Sequence, residues 1–388
     1  MLPDEEIRLA LQFLGRFGPA SASPPAERHS PGGPVPTTAI PYVNREHDGR
    51  LQHVSGQTGD FDVLVWGPAQ SGKSTALALL ERRAHQVGIE SAWFDPQPFV
   101  GDSESRDHDA HLDARVAMDL CELLQAQWGL AKPRSGPIDS IAKLNAWLPD
   151  ELAAKGPSAH LLILDDLANL GPGAVARWTT QFLRLAGAWR ARRDIRLSIA
   201  VGATHQFATS FSSHFRLVSN LYWTLRVDVP WFTEGEVERM TDLLEPPKPA
   251  RSSLASTLYS LFGGQPYLTH AAADDSAFLD AVQTWSSHPS DANAVRLTSL
   301  PPYRRHLAAT RLAMFGPTYE PTTTEAARLR DTFVNACDAA RSKSKRKATD
   351  LNPNHLDFLK RARLLTPTGV PVLSIYSLLA ADIRGHAE

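Results

Sequence analysis

A chain of 388 residues is long enough for two or three domains at roughly 150 residues each, with a real core. Its 43% hydrophobic and 21% charged content excludes a wholly disordered, fibrous or coiled-coil chain, and apolar runs such as Leu161–Leu164 fall far short of the ~18 residues of a membrane span. The net charge of −2 conceals an asymmetry, because residues 301–388 carry 14 lysines and arginines against 8 acids while residues 1–300 carry 26 against 34, which points to a separate C-terminal module.

The first residues, Met1-Leu-Pro-Asp-Glu-Glu, are acidic where a signal peptide is basic, and no cleavable apolar region follows. Residues 4–16 read as one short amphipathic helix, either a frayed terminus or a tethered docking peptide for another protein. Residues 18–41 hold seven prolines and three glycines with little that can be buried, the composition of a flexible linker. From Tyr42 the texture changes. Phe61–Trp66 is a β-branched and aromatic run ending at glycine, and a helical pattern opens at Lys73. Residues 91–95, 161–164 and 195–201 look like further buried strands, separated by helical stretches around 106–130, 140–154 and 174–193. Strands alternating with helices imply right-handed crossovers and a parallel sheet covered on both faces. In Asn220–Val229, apolar Leu221, Trp223, Leu225, Val227 and Val229 alternate with polar neighbours, as in an edge strand closing the sheet.

After Pro230 the pattern turns helical. Thr233-Glu-Gly-Glu236 fits a capping box, and helices are expected to about residue 315. The basic run Arg341–Lys347 is followed by a helix at 353–363, a hairpin-like Leu364–Leu373 turning at Pro367–Gly369, and a last helix at 374–383. Helices followed by a two-stranded wing suggest a winged helix. The expected organisation is a short helix over 1–17, a disordered linker over 18–41, a phosphate-loop ATPase domain over 42–230, a helical lid over 231–300 and a winged-helix-like domain over 301–388. The fold class is α/β, a parallel sheet of the P-loop NTPase kind with helices on both faces.

The chemistry concentrates at Gly67-Pro68-Ala69-Gln70-Ser71-Gly72-Lys73-Ser74, two glycines four residues apart followed by lysine and serine, with Thr75 next. Glycines let successive backbone amides turn inward, and the start of the following helix adds its positive end, so a phosphate chain is cradled. Lys73 is expected to reach the β and γ phosphates of ATP or ADP, and the Ser74 hydroxyl to ligate Mg²⁺. The setting between a strand and a helix supports the motif. Leu161-Leu-Ile-Leu-Asp165-Asp166 supplies the second half: four apolar residues deliver two carboxylates to the C-terminal end of a strand, where ligands sit in open α/β sheets. Asp165 would hold Mg²⁺, directly or through water, and Asp166 would orient or deprotonate the attacking water; the competing reading is an acidic strand end capping the next helix. Aspartate at 166 reaches about one methylene less far than glutamate, so hydrolysis is expected to be slow.

Thr204 and His205, at the mouth of the same sheet, are candidates for contact with the γ-phosphate region, against the alternative of a structural hydrogen bond. Arg190, Arg192 and Arg193 are candidates for a trans-acting arginine, or simply favour the dipole of their own helix. Asp107, His108, Asp109, His111 and Asp113 only superficially resemble metal ligands, since they lack zinc-site spacing. Cys121 and Cys337 lie far apart and offer neither a disulfide framework nor a thiolate zinc site, which fits a reducing cytoplasm. There is no nucleophile elbow, no His-Glu-x-x-His and no Gly-rich dinucleotide fingerprint.

These residues resemble the AAA-like ATPases of the STAND (signal transduction ATPase) group, over roughly 41–383. Pro41-Tyr-Val-Asn-Arg-Glu-His-Asp48 is similar to the family's entry segment before the first strand, and Phe182–Arg193 to its helix before the sensor strand. Trp231-Phe-Thr-Glu-Gly-Glu-Val237 and Phe262-Gly-Gly-Gln-Pro-Tyr-Leu268 resemble its Phe-Thr-x-x-Glu-Val helix and Gly-Gly-x-Pro-Tyr-Leu turn. The resemblance implies that Pro266 packs near the adenine and links the lid to the nucleotide, and that a winged helix follows. Read in isolation, Gly263-Gly264 is a helix C-cap with Pro266 opening the next helix.

The resemblance implies an ATP-dependent switch that couples nucleotide state to a protein partner, in bacterial signalling or defence. With no appended repeat sensor or recognisable effector, the partner is expected to be a separately encoded effector or sensor, with a homo-oligomer as a further option and no membrane involved. The alternative is a DNA-acting ATPase, initiator-like or a transposition helper, using basic residues 341–363 with Lys360, Arg361 and Arg363 on a recognition helix. A basic run is also, more plainly, a solvated loop. A kinase using the same loop would need an acceptor pocket that no residues specify.

Overall fold

Five apolar runs become strands β1 (Asp62–Gly67), β2 (Glu90–Phe94), β3 (Ala159–Leu164), β4 (Arg196–Thr204) and β5 (Leu225–Asp228), lying side by side in the order β2-β3-β4-β1-β5. Every neighbouring pair is parallel. The computed structural model describes residues 61–96, 108–134, 136–156, 158–165, 195–204, 225–243, 248–315, 324–341, 353–368 and 371–385, together with Arg45, Asp48, Leu51 and Trp178. The helix expected over 4–16, the linker, most of the stretch at 174–193 and the basic run 342–347 lie outside the described residues.

β1 is buried along its whole length because helices cover both faces of the sheet. Its side chains alternate, with Val63 and Val65 in one apolar cluster and Leu64 and Trp66 in the other. Helix α1 (Lys73–Gln86) brings Ala76, Leu77, Leu80 and Ala84 at helical spacing onto the first face, beside Leu161, Ile163 and Ala200. Helices α2 (His108–Trp128) and α3 (Ile141–Lys155) cover the second with Leu112, Val116, Leu120 and Leu124, and with Leu144, Leu148 and Leu152. Each such leucine, fully buried, stabilises the fold by roughly 1.5–3 kcal/mol. The result is a P-loop NTPase-like α/β fold.

Two strands differ in extent from their sequence patterns. β4 runs on to Thr204, past the apolar residues that mark it, and the extension aligns Gly67 of β1 with Thr204 across the ladder. β5 is an edge strand, alternately exposed and buried, and its described part is only four residues long. The chain therefore leaves β1 for the far edge at β2, works back through β3 to β4, and then passes to the other side of β1. That reversal makes the C-terminal end of β1 the switch point at which open parallel sheets bind ligands.

Beyond the sheet come helices α4 (Glu234–Leu243), α5 (Lys248–Phe262), α6 (Pro266–Asp274), α7 (Ser276–Ser287), α8 (Asp291–Thr298), α9 (Pro301–Phe315), α10 (Thr324–Arg341), α11 (Pro353–Arg361) and α12 (Tyr376–Gly385). Short polar residues start α7 and α8. The Asp275 side chain accepts from the amides of Ala277 and Phe278 at the head of α7, and Ser290 from Asn293 at the head of α8. One continuous apolar cluster runs from Trp231 to Ile383 and mixes side chains of α4–α9 with those of α10–α12. Between α11 and α12, Leu365 and Pro371 form an antiparallel bridge, and the Val372 amide donates to Leu364 O at 3.1 Å. Among the described residues no helix is long and apolar enough to cross a membrane.

Candidate phosphate-binding site

β1 ends at Gly67, where only a glycine fits: a Cβ would stand 2.5 Å from Val229 O and 2.6 Å from Ser71 Oγ. The chain then turns tightly. The Ser71 amide donates to Pro68 O at 3.3 Å, Gln70 takes φ 56°, and Gly72 takes φ 98° as the N-cap of α1. No side chain caps α1 and no acid occupies its first turn, so its leading amides and dipole face the loop without a protein anion. Lys73 is only 9% exposed, and its Nζ donates to Pro68 O at 2.7 Å across the loop. Ser74 and Thr75 follow, half-buried, in the first turn.

The second half of the site comes from β3 and β4. Asp165 directly follows β3 and is 2% exposed, with its amide bonded to Phe94 O at 3.0 Å. Its carboxylate occupies the space left by Gly202 of β4, where a Cβ would stand 2.5 Å from Asp165 Oδ1 and 3.0 Å from Leu77 Cδ1. Gly202 is a position of close packing that the sequence reading missed, although a glycine within the run Ile199–Thr204 is itself a signal of close approach. Two hydroxyls, Ser71 Oγ and Thr204 Oγ1, are buried with no hydrogen-bond partner among the described residues. Orphaned polar atoms of this kind cost about 1–3 kcal/mol unless something satisfies them. Uncapped helix amides, a glycine-lined turn and two unsatisfied hydroxyls at one sheet edge suit a polyphosphate, and Ser74 and Asp165 carry oxygens of the kind Mg²⁺ takes.

Asp166, His205, Arg190, Arg192 and Arg193 lie outside the described residues. Of the residues with a metal-like look, Asp107 is also outside them, and Asp113 accepts from Trp178 Nε1 at 2.7 Å. Pro266 is buried in the first turn of α6, where the Gln265 side chain caps the helix by accepting from the Leu268 amide. The preceding glycines do end α5, since the Gly263 amide donates to Tyr259 O at 2.8 Å. They also do more. Gly264, at φ 78°, accepts from the Phe232 amide at 2.8 Å, so the turn is clamped to the segment leaving β5.

The capping box is formed. Glu236 Oε2 accepts from the Thr233 amide at 2.7 Å, and Thr233 Oγ1 accepts from the Glu236 amide at 3.3 Å. The other carboxylate oxygen, Oε1, accepts from Arg45 Nε at 3.4 Å. Arg45 joins three elements: Nη1 donates to Ser71 O of the loop at 3.1 Å, Nη2 donates to Pro230 O, and the guanidinium lies 4.9 Å from the centroid of the Phe232 ring. The sequence places Arg45 in an entry segment but gives no sign of these partners. A residue of α9 also reaches the loop: His306 is bonded to Gln70, and burial lowers its pKa to about 3, leaving the ring neutral.

No family model matches the chain, and no curated protein does. Among solved structures it is similar to the Walker-type ATPase PABY2304 of Pyrococcus abyssi, at 12% identity and a TM-score of 0.44, over 88% of this chain and 96% of that one. It is also similar to the ORC2 protein of Aeropyrum pernix in its ADPNP–ADP complexes, at 12% identity and a TM-score of 0.49, over 91% of this chain and 97% of the other. For Cdc6p from Pyrobaculum aerophilum the identity is 13% and the TM-score 0.37, over 89% and 96% of the two chains.

Proposed function

We propose that the chain is an ATP-binding, slowly hydrolysing molecular switch of the AAA-like, STAND type, reading nucleotide state out to a separately encoded protein. The observation that carries this is the Gly67–Ser74 loop at the switch point of the sheet, with the buried, unsatisfied Ser71 and Thr204 hydroxyls beside it. In this reading the loop amides and the head of α1 hold the phosphates, and Lys73 exchanges its bond to Pro68 O for phosphate oxygens. Ser74 and Asp165 would hold Mg²⁺, which when bound would neutralise charge on the phosphates. Asp166 orients the attacking water and Thr204 contacts the γ-phosphate end. Arg45, bonded to both loop and α4, would carry a change in the loop to the helices. Pro266, in the turn clamped to Phe232, would pack near the adenine.

Lys73→Ala should weaken ATP binding about a hundredfold, the loss of roughly 3 kcal/mol that removal of a buried charge–phosphate contact brings. Calorimetric titration of the folded variant with ATP and Mg²⁺ checks this, and unchanged affinity would remove the site assignment.

A second reading, a DNA-acting ATPase, has its own support in α11, the bridge at Leu365–Pro371 and α12, an arrangement compatible with a winged helix whose Arg363 is exposed. Salt-titrated binding of the full chain to duplex DNA separates the two: affinity falling steeply with salt favours it, and no binding at low salt ends it.

A further inference from the structure

His306 lies 236 positions beyond Gln70 in the sequence, yet its Nδ1 stands 2.7 Å from Gln70 Oε1, so that the ring N–H donates to the amide oxygen. The ring is 3% exposed, and its other nitrogen, Nε2, has no hydrogen-bond partner among the described residues. A buried imidazole with one nitrogen unsatisfied is an unfavourable way to fill a core. Gln70 is unusual as well. Among the described residues only Gln70 and Arg363 are non-glycine with positive φ, and a bulky residue keeps that conformation only where its surroundings over-determine it.

The grip on Gln70 comes from a braced block. The His306 ring stacks on Tyr376 of α12, with centroids 5.8 Å apart and planes within 8°, and Tyr376 meets Phe333 of α10 edge-on. Tyr303 OH donates to Asp382 Oδ2 at 2.6 Å, and Arg311 Nη2 to Asp382 O at 2.9 Å, fastening α9 to α12 on both sides of His306. A displacement of α9 relative to the sheet therefore acts on Gln70 through the His306 side chain.

We infer that His306 is a positioning residue for the phosphate loop: through it the C-terminal helices hold Gln70 in its left-handed turn, so that nucleotide binding and the seating of α9 are linked. The inference rests on the nucleotide reading above and gives it a specific joint. Linkage is reciprocal, so a partner that pulls α9 from the loop weakens nucleotide binding by the factor that nucleotide weakens the partner.

The test uses the full chain and affinities for ATP and Mg²⁺ in four proteins: wild type, His306→Ala, Gln70→Gly and the double variant. Glycine holds φ 56° without help. His306→Ala should weaken ATP binding about tenfold when glutamine stands at 70, and less than twofold when glycine does. His306→Gln, which keeps a donor, should recover part of the loss. Equal losses in both backgrounds, or none in either, would overturn the proposal. Hydrogen exchange of wild type gives an answer that needs no variant to fold: amides of residues 303–310 should exchange differently with and without ATP, and identical exchange refutes the link. Wild type that binds no ATP would remove the nucleotide reading itself, whereas tight binding that ignores His306 removes only this joint.

Discussion

Gly264→Ala should destabilise the helical region by about 4 kcal/mol, although it adds one methyl group far from the phosphate loop in sequence. A left-handed φ of 78° costs a non-glycine residue roughly 1–2 kcal/mol. The collision is worse: the new Cβ would stand 1.9 Å from Phe232 O and 2.9 Å from Phe232 C, and neither can swing aside as a side chain would. Overpacking of this kind costs ~1–3 kcal/mol, and any shift that relieves it stretches the bond from the Phe232 amide to Gly264 O, worth about 1 kcal/mol. Gly235→Ala is the control. It lies in the first turn of α4 with nothing within 4 Å of its Cβ position, and alanine there should stabilise by up to ~1 kcal/mol. Urea midpoints at constant slope report both changes. A Gly264→Ala protein as stable as wild type would show that the turn and the segment leaving β5 are not clamped.

Glu236→Ala should cost about 3–5 kcal/mol, because it strands a buried cation. The Arg45 and Glu236 side chains are 5% and 10% exposed, and the same carboxylate also closes the cap of α4. Glu236→Gln separates the two tasks, since an amide oxygen still accepts from Thr233 while the charge is gone. Arg45→Lys should fare poorly despite its charge, because an ammonium lacks the planar fork that spans Ser71 O, Pro230 O and Glu236. In a double-mutant cycle with Glu236→Ala and Arg45→Ala, the paired loss should fall short of the sum by at least ~1 kcal/mol. Strict additivity would mean that the two side chains act independently.

How much of this was legible in the sequence depended on how local each interaction is. The loop at Gly67–Ser74, the apolar strand before Asp165 and the capping box at Thr233–Glu236 are fixed by neighbours a few residues apart, so pattern alone reveals them. The extension of β4 to Thr204 was hidden because Gly202 and Ala203 carry little strand propensity; they are held by pairing with β1, and Gly202 also leaves the space Asp165 needs. Arg45 meets Glu236 across 191 positions and His306 meets Gln70 across 236, and no composition or period encodes such pairs. The asymmetry of charge suggested a boundary near 300, yet the buried side chains on either side of it share one core. Charge describes a surface; the core answers to apolar shape.

The placement of β4 between β1 and β3 also sets a timetable. β1 pairs only with β4 and β5, so the strand that carries the phosphate loop has no partner until residues 196–204 have been made. At ~5–20 residues per second, that is on the order of ten seconds of synthesis after Gly67 emerges. Throughout it, Val63, Leu64, Val65 and Trp66, apolar toward both faces, await both of their neighbours. Inserting a late strand into the middle of a sheet raises contact order and slows folding. The loop is thus written into the chain well before it can acquire its shape. A nascent chain carries the full phosphate motif long before it can present one to a ligand.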